Sequence, residues 1–143
     1  MRTELFQRID GGEKLTAIFG VWPSFHDGIV EMVALKPGGS VEVTFTIFRM
    51  TAELDAKGHY ICDRYTRTRF RFGRCEDVRL ISSYAGAIVS GLVVEEAQLL
   101  HPRGTGFRVE VDSCTDFELE LTCALVEVID AVPVPALSNR PDR

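Results

Sequence analysis

The chain of 143 residues lacks most of the features that assign a function directly. Its four Cys residues form no Cys-x-x-Cys pair, and none of its three His residues stands beside them at zinc-ligand spacing. We therefore expect four reduced thiols, no metal and no cofactor. No window approaches the roughly eighteen apolar residues of a membrane helix, and the charged N-terminus lacks the apolar run of a signal peptide. The expectation is a cytoplasmic protein without a membrane segment.

Catalytic motifs are equally scarce. The Gly-x-Ser-x-Gly motif of a nucleophile elbow does not occur, and Gly104-Thr105-Gly106 lacks the continuation that a phosphate-binding loop needs. The chain carries 21 acidic and 16 basic residues, a net charge of −5. This balance disfavours binding to nucleic acid, which depends on Lys and Arg, and it is compatible with a basic protein partner. We expect a binding protein rather than an enzyme.

Helical periodicity is confined to the N-terminal region. Apolar residues recur at helix-like intervals from residue 3 to residue 19, interrupted by Asp10-Gly11-Gly12. Because adjacent glycines destabilise a helix, the pattern predicts a turn or two over residues 3–9 and a second short helix over 13–19. Gly20 is the predicted stop of the second helix.

From residue 28 onward the apolar residues mostly alternate, which is typical of β-strands. Loops are predicted at 51–58 and 101–106. The connections are short, and parallel crossovers need about a dozen residues or more, so the pairing should be antiparallel. The seven predicted strands cover residues 28–36, 41–49, 59–72, 76–84, 87–95, 107–112 and 116–130.

These patterns predict an α+β fold that is mostly β. Short N-terminal helices precede a predominantly antiparallel, curved sheet, folded into a sandwich or a half-open barrel. A chain of this length forms one domain, assigned to residues 1–132, and the Pro- and charge-rich residues 133–143 are expected to be a poorly ordered tail. One core is predicted from the apolar faces of three strands, with Phe45, Ile47, Phe70, Phe72, Leu119, Leu121 and Cys123.

Charged rows lie opposite these apolar faces. The basic row consists of Arg67, Arg69 and Arg71, and the acidic residues are Glu110, Asp112, Glu118 and Glu120. The acidic residues would share one small face if residues 107–112 and 116–122 form a hairpin. Four carboxylates repel one another, so cations must come either from the Arg row or from a basic partner. The second alternative makes these four residues a partner-binding surface.

Candidate functional side chains are most concentrated at residues 19–28, which include the only Trp. His26 beside Asp27 invites an acid/base interpretation. Adjacent residues of an extended chain point to opposite faces, however, so we favour a structural pair at the corner between helix and strand. Trp22 is similarly favoured as a core residue. The alternative is a small-ligand-binding or hydrolytic pocket near Trp22, His26 and Asp27.

The string FGVWPSFHD at residues 19–27 resembles the opening motif of the immunity protein 50 family, small bacterial proteins of polymorphic-toxin systems. The segments RFRF at 69–72 and EDVRL at 76–80 look like that family's middle strand pair, and FELELTC at 117–123 looks like its closing strand. The resemblance implies an α+β or mostly β fold. It also implies a non-catalytic protein that binds and neutralises a toxin made by the same cell, so the expected partner is a cognate toxin domain.

Overall fold

The computed structural model describes residues 3–82, 87–101 and 103–135. Two short helices, α1 (Thr3–Gln7) and α2 (Glu13–Phe19), precede the strands, which confirms the predicted fold class. The strands are β1 (Ile29–Lys36), β2 (Ser40–Leu54), β3 (Tyr60–Gly73), β4 (Glu76–Ser82), β5 (Val89–Leu100), β6 (Arg103–Ser113), β7 (Phe117–Cys123) and β8 (Leu125–Pro133). Residues 83–84 of one predicted strand and residues 136–143 of the predicted tail lie outside the described residues.

The strands form two antiparallel sheets of four. The first sheet has the order β1-β2-β3-β8, and the second has the order β4-β7-β6-β5. Buried apolar residues of both sheets belong to one cluster, which includes every residue of the predicted core. Of the two predicted arrangements, the sandwich therefore describes the fold. Within the described residues, no helix is long and apolar enough to cross a membrane.

Three sequence-based boundaries are wrong. Residues 51–54 continue β2, because the β2–β3 hairpin extends beyond the core and its exposed strands lose the apolar alternation. The predicted loop at 101–106 is mostly strand, since β6 begins at Arg103. The predicted strand 116–130 is two strands, β7 and β8, which belong to different sheets. The buried positions are odd-numbered up to Cys123 and even-numbered from Val126, so the alternation shifts phase where the chain changes sheets, and the apolar run between these two residues conceals the shift in the sequence.

The helical segment covers the outer edge of β8. Gly20 ends α2 in the left-handed conformation, as predicted, with φ of 81°. Between the helices, the Asp10 N–H donates to the carbonyl of Val126 at 3.0 Å, and the Val128 N–H donates to the carbonyl of Asp10 at 2.7 Å. Gly11 is required here, because a Cβ would collide with the Val128 carbonyl and φ is +75°. An edge that could otherwise pair with another chain is thereby occupied.

Candidate functional site

The basic row lies on the outer face of the first sheet, the face turned away from the second sheet. Each guanidinium pairs with a carboxylate of the same sheet: Arg67 Nε with Glu31 Oε2 at 3.0 Å, Arg69 Nη2 with Asp130 Oδ2 at 3.0 Å, and Arg71 Nη1 with Glu127 Oε1 at 3.7 Å. These three cations are therefore compensated within their own sheet. They do not supply the counter-charge for the acidic residues of the second sheet.

The four acidic residues share the outer face of the second sheet, which we call the acidic face. The predicted hairpin is present: β6 and β7 pair with Glu110 directly opposite Glu120 and with Asp112 directly opposite Glu118. Like charges directly opposite each other on paired strands destabilise the pairing. The sheet therefore holds an arrangement that opposes its own stability.

Two cations among the described residues stand on this face: Arg108 on β6, and Arg79 on β4, which lies directly opposite Glu120. Arg108 Nη1 lies 2.8 Å from Glu110 Oε2, and its Nε lies 3.6 Å from Glu95 Oε2. Among the described residues, Asp112, Glu118 and Glu120 form no ion pair with a Lys or Arg, although Arg79 stands opposite Glu120 in the β4–β7 register. Burial raises the pKa of Glu110, and the neighbouring Asp112 raises it further, while Arg108 acts in the opposite direction. The acidic face is therefore short of positive charge.

A cleft of about 720 Å³ lies between α1, the segment around Trp22 and strand β5. Its volume is within the range of roughly 300–1,000 Å³ typical of ligand sites. Phe6, Trp22 and Leu92 give it apolar walls, while Ser24, His26, Ser90 and Glu95 contribute polar groups. The structure thus brings Trp22 and His26 of the alternative pocket to one cleft, and Asp27 is not among the lining residues.

Trp22 belongs partly to the core and partly to the cleft. Its ring stacks on Phe6 with a centroid distance of 4.6 Å and meets Phe70 edge-on at 6.2 Å. The side chain is half-buried and lines the cleft wall. An aromatic ring held in this way can contact a ligand without rearrangement of the core.

His26 and Asp27 form a corner between the two sheets. His26 Nε2 lies 3.7 Å from Asp27 Oδ1, and Nδ1 lies 3.2 Å from the Ser90 carbonyl oxygen. The Ser24 hydroxyl accepts a hydrogen bond from the His26 backbone N–H at 3.2 Å. The Asp27 N–H donates to the Val89 carbonyl at 2.8 Å. These bonds connect the start of β1 to the start of β5.

Strand β5 presents an edge that sequence reasoning did not identify. One side of β5 pairs with β6, and on the other side the bridge between Ile29 and Ile88 stops at its beginning. From Gly91 to Glu96 that second side lies along the cleft, with no strand partner among the described residues. No local signal predicts this edge, because strand order depends on pairings distant in sequence.

The remaining candidate groups are the thiols. Burial raises the pKa of Cys75 to about 11, and burial together with the neighbouring Cys75 raises the pKa of Cys123 to about 12. None of the four cysteines forms a disulfide, and all lie among the described residues. No three His, Cys, Asp or Glu side chains converge as a metal site in the part of the chain that the structure describes.

Comparison of the chain with family models, with curated proteins and with solved structures gives no match.

Proposed function

We propose that this protein is a non-catalytic immunity protein that binds a cognate bacterial toxin domain through its acidic face. The observation that carries the proposal is the pairing of Glu110 with Glu120 and of Asp112 with Glu118, four carboxylates for which the face offers two arginines, Arg108 and Arg79. A basic partner surface would supply the missing cations. The resemblance of residues 19–27 to an immunity family supports a toxin as that partner.

The negative charge of the acidic face also suits rapid binding of a basic toxin. An immunity protein must find its toxin before damage occurs, and complementary charge accelerates association while having less effect on dissociation. Val93 on β5 and Ile81 on β4 stand opposite Glu110 and Glu118 and add apolar contacts beside the carboxylates. A mixed surface of this kind can combine fast association with slow release.

The first test uses the toxin domain that the proposal expects the neighbouring reading frame to encode. Expressed alone, this domain should stop cell growth, and co-expression with this protein should restore it. Association is then measured for the double variant Glu118→Lys/Glu120→Lys. We expect at least a tenfold slower association, a weaker dependence on salt and no loss of stability, because the Arg row is engaged on the other sheet and each new Lys stands opposite Glu110 or Asp112.

Glu53→Lys is the matched control, since Glu53 is exposed on the β2–β3 hairpin, far along the chain from β6 and β7. It changes the net charge in the same direction and should leave association nearly unchanged. If the affinity depends neither on salt concentration nor on the Glu118→Lys and Glu120→Lys substitutions, the acidic face is not the binding surface. Failure of co-expression to rescue growth would reject the immunity function.

A small-ligand-binding or hydrolytic activity is the second candidate, favoured by the cleft beside Trp22 and His26. Hydrolysis of generic ester or phosphoester substrates that disappears in a stably folded His26→Ala variant would support it. The absence of any turnover by the wild-type protein would oppose the hydrolytic form of this candidate.

A further inference from the structure

We propose that the cleft receives an extended basic segment of the protein partner, which adds to β5 as an extra strand. This inference rests on the proposed function for its protein partner, and it specifies how that partner is held. It concerns the cleft and the unpaired edge of β5, whereas the proposed function rests on the acidic face.

The edge of β5 supplies the backbone groups for such pairing. Its unpaired length from Gly91 to Glu96 is six residues, or about 20 Å at the usual rise of a strand. Strand addition to a free sheet edge is an established mode of peptide recognition, in which main-chain hydrogen bonds give affinity and side-chain pockets give specificity. The edge of β8 in the same protein is covered by Asp10 and Gly11. The edge of β5 instead faces a cleft.

The two faces of β5 predict the side-chain pattern of the added strand. Leu92 and Val94 stand opposite the buried Val111 and Val109 and therefore face the interior of the sandwich. Val93 stands opposite Glu110 on the other face. Side chains of an added strand alternate in the same way, so one set would meet the aromatic wall of the cleft. The other set would point toward the side of the sheet that carries the acidic face.

The aromatic wall favours apolar residues in the first set. Phe6 and Trp22, stacked on each other, give it a broad apolar surface. Six or seven residues in which apolar and basic side chains alternate would therefore fit both sides of β5.

The charged residues at the cleft determine which charge the second set of partner side chains should carry. Glu95 lines it on the same face of β5 as Val93, with its side chain 56% exposed, while Glu96 lies on the opposite face, in register with the buried Phe107. Arg8 pairs with Glu96 at 2.9 Å, and Arg108 is shared between Glu95 at 3.6 Å and Glu110 at 2.8 Å, so three carboxylates here meet two cations. Carboxylates or phosphates in the cleft would meet an excess of negative charge, whereas Lys and Arg would be attracted. The charges thus favour a basic segment over an acidic one.

The experiment uses the full chain and a blocked seven-residue peptide in which valine and lysine alternate. Trp22 is the only Trp and lies in the cleft wall, so its fluorescence reports binding there directly. A peptide in which valine and glutamate alternate is the charge control. We expect the lysine peptide to bind at least tenfold more tightly than the glutamate peptide at low salt, and we expect Glu95→Lys to reduce that affinity at least tenfold.

N-methylation tests the strand pairing itself. Amides of alternate residues point to the same side of a strand, so methylating either all valines or all lysines blocks one edge only. We expect one methylated peptide to lose binding and the other to retain it. Equal binding by both would overturn strand addition, equal binding by the lysine and glutamate peptides would overturn the charge preference, and no binding up to about 1 mM would overturn the site.

Glu53→Lys is again the control for net charge and should leave peptide affinity unchanged. The outcome is separable from that of the proposed function. Peptide binding without rescue of growth would leave the cleft as a peptide site for a different partner. Rescue without peptide binding would leave the immunity function intact and remove strand addition.

Discussion

Phe70 provides the sharpest test of the core. Its side chain is completely buried, and its ring lies 5.7 Å from both Phe25 and Phe45 and 5.9 Å from Phe72, measured between centroids. Replacing a buried Phe with Ala typically costs about 3–5 kcal/mol. Because four aromatic rings including Trp22 surround it, the neighbours cannot easily collapse into the space, and we expect the upper half of that range.

For a protein of this size, each kcal/mol lowers the melting temperature by roughly 2–4 °C, so Phe70→Ala should lower it by about 8–20 °C. Chemical denaturation followed by circular dichroism measures the free energy of unfolding, and Trp22 fluorescence reports the same transition from within the cluster. Tyr60→Ala is the control, since Tyr60 is 56% exposed on the β2–β3 hairpin. A loss below about 1 kcal/mol for Phe70→Ala, or one equal to that of the control, would refute the assigned facing of β3.

Other changes test separate parts of the structure. Gly11→Ala should lower the free energy of unfolding by about 1–3 kcal/mol, because the backbone is left-handed there and the new Cβ would meet a β8 carbonyl, and thermal unfolding measures this. The raised pKa of Glu110 means that its stabilising contribution is present below the ordinary Glu pKa and is lost as the pH rises through the raised value. Glu110→Gln should therefore flatten the dependence of stability on pH between about pH 4 and pH 7 in denaturant titrations. Alkylation at about pH 8 should modify the exposed Cys114 first and spare the buried Cys123 until the protein unfolds, which mass spectrometry of the peptides can verify.

Most of the fold could be predicted from the alternation of apolar residues along the sequence. It identified the core faces of β2, β3 and β7 because inward-facing side chains of a sandwich recur with a period of two. The pattern failed where no core imposes it. The outer part of the β2–β3 hairpin, around Glu53, is exposed on both faces, so its residues are as polar as those of a loop. At Ala124 the chain changes sheets and the buried positions shift phase, from Cys123 to Val126, but the residues between them are also apolar and hide the shift in the sequence.

The candidate site was only partly accessible from sequence. The pairing of Glu110 with Glu120 followed from two alternating strands joined by a short turn, which is local information. The ion pair of Arg67 with Glu31 could not be predicted in this way, because Glu31 lies on β1, two strands away in the first sheet. The cleft depends on the placement of α1 against β5, which are separated by more than 80 residues, and the ion pair between Arg8 and Glu96 spans that distance.

The two changes of sheet have a consequence for how the protein folds. The chain passes from the first sheet to the second after Gly73 and returns at Ala124, and the Ala124 N–H donates to the Gly73 carbonyl at 2.9 Å, so the two crossings lie side by side. All four strands of the second sheet lie between β3 and β8 in the chain, so the pairing of β3 with β8 closes a long loop. The second sheet consists of consecutive strands, whereas the first cannot complete its native pairing without β8. We expect a single cooperative unfolding transition and slow refolding, as is usual when a large share of the strand pairing is distant in sequence.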